Sequence, residues 1–158
     1  MGQATHEQVT LMLQLYEMRR EAKLRDARDW VSANFHPKNA EDGMHIAPPG
    51  SKENTYLRMV LGYWEMVASI VNRGFVDEEL FFESTGEPWG LWQQIKAIVP
   101  AWREMFGGPQ FLANLEEQIK RMEAWREKKA PGQNEKLRKF HAQMVQMMQE
   151  WKARAASN

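Results

Sequence analysis

The sequence contains no cysteine. Without thiols the chain can form neither a disulfide nor a thiolate zinc site. It also lacks the uncharged apolar run of roughly 18 residues that a membrane-spanning helix requires. The first residues, "MGQATHEQ", show no basic segment followed by an apolar one, so no signal peptide is visible. From these absences we expect a chain of a reducing compartment, the cytoplasm, with no membrane span.

The chain also lacks a net charge, because 21 Lys and Arg residues balance 21 Asp and Glu residues. No global field therefore attracts nucleic acid, and we expect no nucleic-acid partner. The balance hides a local asymmetry: residues 77–87 contain five acids and no base, whereas residues 120–158 contain ten bases and four acids. The two segments are complementary in charge and could form a protein–protein contact.

The apolar pattern has helical spacing nearly throughout, and strand-like alternation is absent. A chain of 158 residues is long enough for one core, so we expect a single all-α domain over 1–158 with its core in about 6–127. The fold expected is a bundle of five or six helices with a C-terminal helical hairpin. Its expected segments are a helix from His6 to about Asn34, a loop over 36–51, a nearly all-apolar central helix over about 53–72, a short helix after Asp77, a helix over 89–106 kinked at Pro100, a fifth helix from Pro109, and a last helix over about 135–155.

The acidic stretch that begins at Asp77 has two interpretations. Asp77 stands where a helix N-cap is expected, and Glu78 and Glu79 fall in the first turn, where carboxylates favour the positive end of the helix. The same carboxylates, with Glu83, could instead form a metal or general-base site. Val76 before the cap and Phe81 in the helix form the apolar pair that accompanies such starts, which favours capping.

Signatures of catalysis are missing from the sequence. No serine lies in a Gly-x-Ser-x-Gly elbow, and "MFGGPQF" has neither the lysine nor the strand of a phosphate-binding loop. A dimetal bundle would need Glu-x-x-His pairs on helices, and none is present. A zinc site from His36, His45 and a carboxylate has only weak support from its spacing. We therefore assign no catalytic, cofactor or metal residue, and a non-enzymatic role is favoured.

Three charged residues are candidates for a polar cluster between helices. Glu65 lies on the central helix, and Arg20 and Arg28 lie on the first helix, where Arg20 falls inside the apolar stripe. One interpretation is a structural ion pair that fixes helix register. The other is a small pocket for an anionic ligand, lined by Trp64 and Trp92.

The last helix carries an apolar stripe that continues over five turns and should not remain in water. Its residues are Leu137, Phe140, Met144, Met147 and Trp151. The stripe should cover either the preceding helix, through Leu115, Ile119 and Met122, or a second chain. Since Met adapts to irregular surfaces, Met144, Met147, Met148 and Trp151 are our candidate interaction surface, and a homodimer is expected.

The chain resembles a bacterial family of small helical proteins, domain-of-unknown-function family 4760. The residues that carry the likeness are "LYEMRREAKLRDARDWV" (Leu15–Val31), "YWEMVASIVNRGFVDEELFF" (Tyr63–Phe82), and an aromatic helix with Trp92 followed by Arg103. It covers about Leu11–Trp125. The resemblance implies a helical fold and an uncharacterised function, and it supplies no catalytic residue. Family members often carry an N-terminal membrane segment, from which this sequence departs.

Two functional hypotheses follow. The first is a non-enzymatic helical module that binds a protein, with a second copy of itself as one option. The second is a small-ligand-binding protein or enzyme that uses an inter-helix pocket around Glu65.

Overall fold

The computed structural model describes residues 2–157, and these residues form helices and turns without a strand. They confirm the all-α class. The helices are α1 (His6–Arg19), α2 (Ala22–Asn34), α3 (Ala40–Ile46), α4 (Lys52–Asn72), α5 (Glu78–Ser84), α6 (Glu87–Ile95), α7 (Val99–Trp102), α8 (Ala113–Lys129) and α9 (Gln133–Ala156). The chain divides into two compact units, one ending at Lys120 and the other beginning at Arg121.

The helix expected over His6–Asn34 is two helices, and the expectation of one is wrong. Its start is confirmed, because Thr5 and Gln8 form the capping box. The chain breaks after α1, where the Glu21 side chain accepts a hydrogen bond from the Leu24 amide and so caps α2. Arg28 donates to the free carbonyl of Arg19 at the end of α1 (3.2 Å). Side chains thus replace the backbone hydrogen bonds that the break removes.

The segment 36–51, expected to be a loop, contains the short helix α3. Asn39 caps it by accepting from the Asp42 amide. Gly43 lets α3 approach Trp102 closely, since a Cβ on this glycine would lie 2.8 Å from Trp102 Cζ2. The Trp102 indole in turn donates to the carbonyl of Ala40. Gly43, one of the residues that indicated a loop here, therefore serves a tight packing contact.

The central helix is confirmed as α4, with α2 packed along it. Its apolar side chains are buried on most sides. Those with a relative exposure of 8% or less are Leu57, Val60, Leu61, Tyr63, Trp64, Val67, Ala68 and Val71.

The structure confirms the expected start of the helix after α4, and it differs from the expectation further along the chain. Asp77 caps α5, because its carboxylate accepts from the Leu80 amide at 2.8 Å. The helix expected over 89–106 begins two residues earlier as α6 and restarts as α7, with Pro100 in the first turn of α7. A π-helical turn, Arg103–Gly107, follows. The restart near Pro100 is the one expected from its missing N–H.

Replacing Asp77 with alanine should lower the free energy of unfolding by about 1 kcal/mol, because the Leu80 amide loses its acceptor. Asp77→Asn keeps an acceptor oxygen and should stay within a few tenths of a kcal/mol of the native chain. Urea denaturation measures both. A rise in melting temperature on adding a divalent metal, absent in Glu79→Gln, would contradict the capping account.

The fifth helix was expected from Pro109, but α8 begins at Ala113. Residues 109–112 form turns, and Leu112 has a positive φ of 56°. Within the second unit, the first turn of α9 is joined to the end of α8. Asn134 donates to the carbonyl of Glu123 (2.8 Å), and Arg138 pairs with the Glu123 carboxylate (2.9 Å). These contacts form the C-terminal helical hairpin that the short linker indicated.

Candidate functional site

A charged cluster lies where the end of α1, the middle of α2 and the first turn of α6 meet. Arg28 donates two hydrogen bonds to the Glu87 carboxylate, from Nε to Oε1 (2.6 Å) and from Nη2 to Oε2 (2.5 Å). Arg19 Nη1 donates to Oε2 at 2.9 Å, and Trp64 Nε1 reaches Oε1 at 3.4 Å. We call Arg19, Arg28 and Glu87 the arginine–glutamate cluster. It contains two positive charges and one negative charge, so it is formally +1.

Arg28 in this cluster and its neighbour Tyr63 both hold their protons firmly. The hydrogen bonds that Arg28 donates to the Glu87 carboxylate raise the pKa of Arg28 above its usual value. Burial raises the pKa of Tyr63 to about 12, and its hydroxyl donates to the carbonyl of Leu15. Neither group is a base at neutral pH. The arrangement is therefore suited to holding charge and binding an anion rather than to moving a proton.

A cavity of about 380 Å³ lies against the Arg19 side of the cluster. Its walls come from α1, α4, α5 and the turn before α6, and they are mainly apolar and aromatic. The volume falls in the range of about 300–1,000 Å³ that small-molecule sites have. Trp64 lines this cavity, as the sequence suggested for a pocket, but Trp92 is a half-buried residue of α6 outside its lining.

Glu65 has a different partner from the arginines. Its carboxylate accepts from the Leu115 amide (2.8 Å), the Asn114 amide (3.1 Å) and the Asn114 side chain (2.8 Å). These donors lie in the first turn of α8, where the helix dipole favours a negative charge. Glu65 thus caps α8 from another helix. It also borders an open cavity of about 400 Å³ with Arg58 and Phe111.

The structure therefore distributes Arg20, Arg28 and Glu65 among three settings. Arg20 pairs with Glu17 at 3.7 Å, and both side chains are more than half exposed. Arg28 is in the arginine–glutamate cluster, and Glu65 caps α8. Arg19, the neighbour of Arg20, occupies the inward position. Because α1 ends at Arg19, the helical periodicity does not extend to Arg20. A pattern that assumes one continuous helix therefore selects Arg20 in place of Arg19.

Glu87 is the cluster residue that sequence reasoning did not select. It lies between Gly86 and Pro88, two residues that indicate a helix boundary, so it was counted only within the acidic segment. A signal was present: Pro88 favours the first turn of a helix, and a carboxylate there complements the helix dipole. Its arginine partners are 59 and 68 residues away, a pairing that no local pattern encodes.

The last helix has two distinct faces within the second unit. Its half-buried face consists of Leu137, His141, Val145, Met148 and Lys152. About a quarter turn away lies an exposed apolar stripe of Phe140 (58% exposed), Met144 (46%), Met147 (59%) and Trp151 (66%). Of the candidate interaction surface, Met144, Met147 and Trp151 belong to this stripe, whereas Met148 belongs to the half-buried face.

Residues 2–157 contain neither a metal-binding cluster nor a membrane-spanning helix. No three His, Asp or Glu side chains in these residues are placed to hold a metal ion. None of the described helices is both long and apolar enough for a membrane crossing.

The comparisons with known proteins bear on the first unit. Neither the curated proteins nor the solved structures contain a match to this chain. The family described as Domain of unknown function (DUF4760) matches residues 4–122, which include Arg19, Arg28, Glu65 and Glu87 and exclude α9. Because the match covers most of the sequence, the chain belongs to domain-of-unknown-function family 4760.

Proposed function

We propose that this chain is a non-enzymatic helical interaction module that self-associates as a homodimer through α9. The observation that supports it is the exposed stripe of Phe140, Met144, Met147 and Trp151. Large apolar side chains that form a contiguous exposed surface mark interaction sites more often than single exposed ones do. The proposal includes the cytoplasm of a bacterium as the location.

Charge complementarity favours a second copy as the partner. Two α9 helices packed antiparallel with a heptad register place Phe140 against Met144 of the other copy, and Leu137 against Met147. The same register sets Lys136 of each copy opposite Glu150 of the other, which gives two symmetric ion pairs. A parallel arrangement offers no such pair, because its flanking contacts set Lys136 against His141 and Glu150 against Ala155. The antiparallel pairing is isologous and closes at two chains.

The size of the exposed stripe determines how strong a dimer we expect. A helix of 24 residues is about 36 Å long, and only four large side chains form the exposed stripe. Interfaces that bury less than about 1,200 Å² in total belong to weak or transient complexes. We therefore expect a dimer that forms and dissociates within a practical concentration range.

The alternative, a ligand pocket around Glu65, has less support. A ligand would have to compete with three donors from α8 for the Glu65 carboxylate. The acidic segment 77–87 likewise offers less free charge than its composition suggests. Asp77 caps α5, and Glu87 pairs with two arginines.

Sedimentation velocity over a concentration series tests the proposal. The native chain should shift from monomer to dimer with rising concentration, and Met147→Glu should weaken the dimer at least tenfold because it buries a charge in the interface. Gln149→Glu, on the opposite side of the same helix, adds the same charge and should leave the dimer unchanged.

A charge exchange tests the antiparallel register. Lys136→Glu and Glu150→Lys should each weaken the dimer, because each places like charges opposite one another. The double variant restores opposite charges and should restore dimerisation. A native chain that stays monomeric throughout, or a Met147→Glu chain that dimerises as the native one does, would contradict the proposal.

A further inference from the structure

The cavity beside Arg19 is separate from the α9 stripe and lies entirely within the first unit. Its apolar and aromatic walls include Tyr16 and Leu13 at the mouth and Trp64 and Phe81 deeper in. Leu13 and Tyr16 are 59% and 51% exposed, whereas Trp64 and Phe81 are buried. A chamber with an open mouth and an aromatic interior has the form of a small-molecule site.

The charge at one wall of this cavity is incompletely balanced. Arg19 and Arg28 share the single carboxylate of Glu87, which leaves one positive charge in excess. Arg19 Nε is buried and has no hydrogen-bond partner. A half-buried cation whose partner is shared attracts a further anion more strongly than a fully solvated one, because the surroundings screen it less. One missing negative charge points to a monoanion.

The shape of the cavity adds the second requirement on the ligand. An inorganic anion would neutralise Arg19 but leave the walls formed by Tyr16, Trp64 and Phe81 without a partner. Aromatic rings packed edge-to-face or offset against such walls gain about 0.5–1.5 kcal/mol beyond the burial of their area. The ligand that satisfies both features has a carboxylate at one end and an aromatic ring at the other.

We propose that this cavity binds a small aromatic monocarboxylate, with its carboxylate beside Arg19 and its ring between Tyr16, Trp64 and Phe81. Arg28 and Glu87 are positioning residues here. They hold the Arg19 guanidinium at the cavity wall, and the Tyr16 ring lies over that guanidinium at 4.8 Å from its centroid. The site requires only the first unit, so it is independent of dimerisation through α9.

Titration calorimetry of the full chain with 3-phenylpropionate tests the proposal. We expect one site per chain, with 3-phenylpropionamide and inorganic phosphate each binding at least tenfold more weakly. The amide lacks the charge, and phosphate lacks the ring. Equal affinity for acid and amide, or no binding of the acid at millimolar concentration, would overturn the proposal.

Two variants and a control locate the site. Arg19→Met should weaken acid binding at least tenfold, and its melting curve checks that the chain remains folded. Leu13→Glu changes an exposed residue at the mouth, so it should fold normally and, by charge repulsion, weaken binding of the acid more than binding of the amide. Arg58→Met removes an exposed arginine beside the other cavity and should have no effect. Acid binding that survives both Arg19→Met and Leu13→Glu would place the ligand elsewhere and overturn the proposal.

Discussion

Replacing Glu87 with alanine is expected to lower the free energy of unfolding by about 3 kcal/mol, near the lower end of the range for breaking a buried ion pair. The change leaves Arg19 and Arg28 facing each other without a counter-charge and removes the acceptor of the Trp64 indole. The side chains of Arg19, Arg28 and Glu87 keep 23%, 17% and 30% exposure, so residual solvation keeps the loss from being larger.

Matched variants distinguish the contribution of the arginine–glutamate cluster to stability from that of an exposed ion pair. Glu17→Ala breaks the exposed pair with Arg20 and should change the unfolding free energy by less than about 0.5 kcal/mol. The double variant Arg28→Met/Glu87→Leu removes two opposite charges together. It should lower the free energy of unfolding by less than the sum of the two single changes. Urea denaturation measures all of these. A loss in Glu87→Ala no greater than that in Glu17→Ala would show that the cluster contributes nothing to stability.

The parts of the fold that were predictable from the sequence are those encoded within a few residues. Thr5 with Gln8 indicated the start of α1, and Asp77 indicated the start of α5. Each acts on an amide three residues away, so composition and spacing are sufficient evidence. The central helix α4 was predictable for a related reason, because its apolar residues lie nearly all round the helix.

The elements that were missed depend on residues far apart in sequence. The break between α1 and α2 has no glycine or proline at it, and part of its stabilisation is the hydrogen bond from Arg28 to the carbonyl of Arg19. Among residues 2–157 the helix count exceeds five or six because this break, the restart near Pro100 and α3 each add a helix. In α3 a local signal, Asn39 before Asp42, was present but was outweighed by the surrounding Pro and Gly residues.

The site was only partly predictable for the same physical reason. Arg28 was selected as a charge of the first helix that could lie between helices, but its partner depends on how α6 meets α2. A single sequence offers several acids for each arginine, and burial decides among them. The stripe on α9 was easier to identify, since helical spacing alone defines a face. Which residues of that face are exposed required the structure, and it places Leu137 of the expected stripe and Met148 of the candidate interaction surface on the half-buried face.

Glu65→Ala is expected to lower the free energy of unfolding by about 2 kcal/mol, a loss that combines a missing helix cap with unsatisfied donors. Leu112 precedes α8 with a positive φ, and the first turn of this helix receives its acceptor from α4. The Asn114 and Leu115 amides both donate to the Glu65 carboxylate. Glu65→Gln keeps one acceptor oxygen and should lose about half as much.

The position of the amides that lose protection in Glu65→Ala distinguishes a capping role of Glu65 from an ion pair with an arginine. If Glu65 caps α8, the Asn114 and Leu115 amides should exchange hydrogen faster in Glu65→Ala, while amides in α2 keep their protection. The effects of Glu65→Ala and Arg28→Met should add within about 0.5 kcal/mol, because the two residues have different partners. If Arg28→Met instead rescued Glu65→Ala, the two charges would be coupled, as the sequence alone suggested. We do not expect rescue. Arg28 already makes a bidentate pair with Glu87, in which two parallel N–H groups donate to the two carboxylate oxygens.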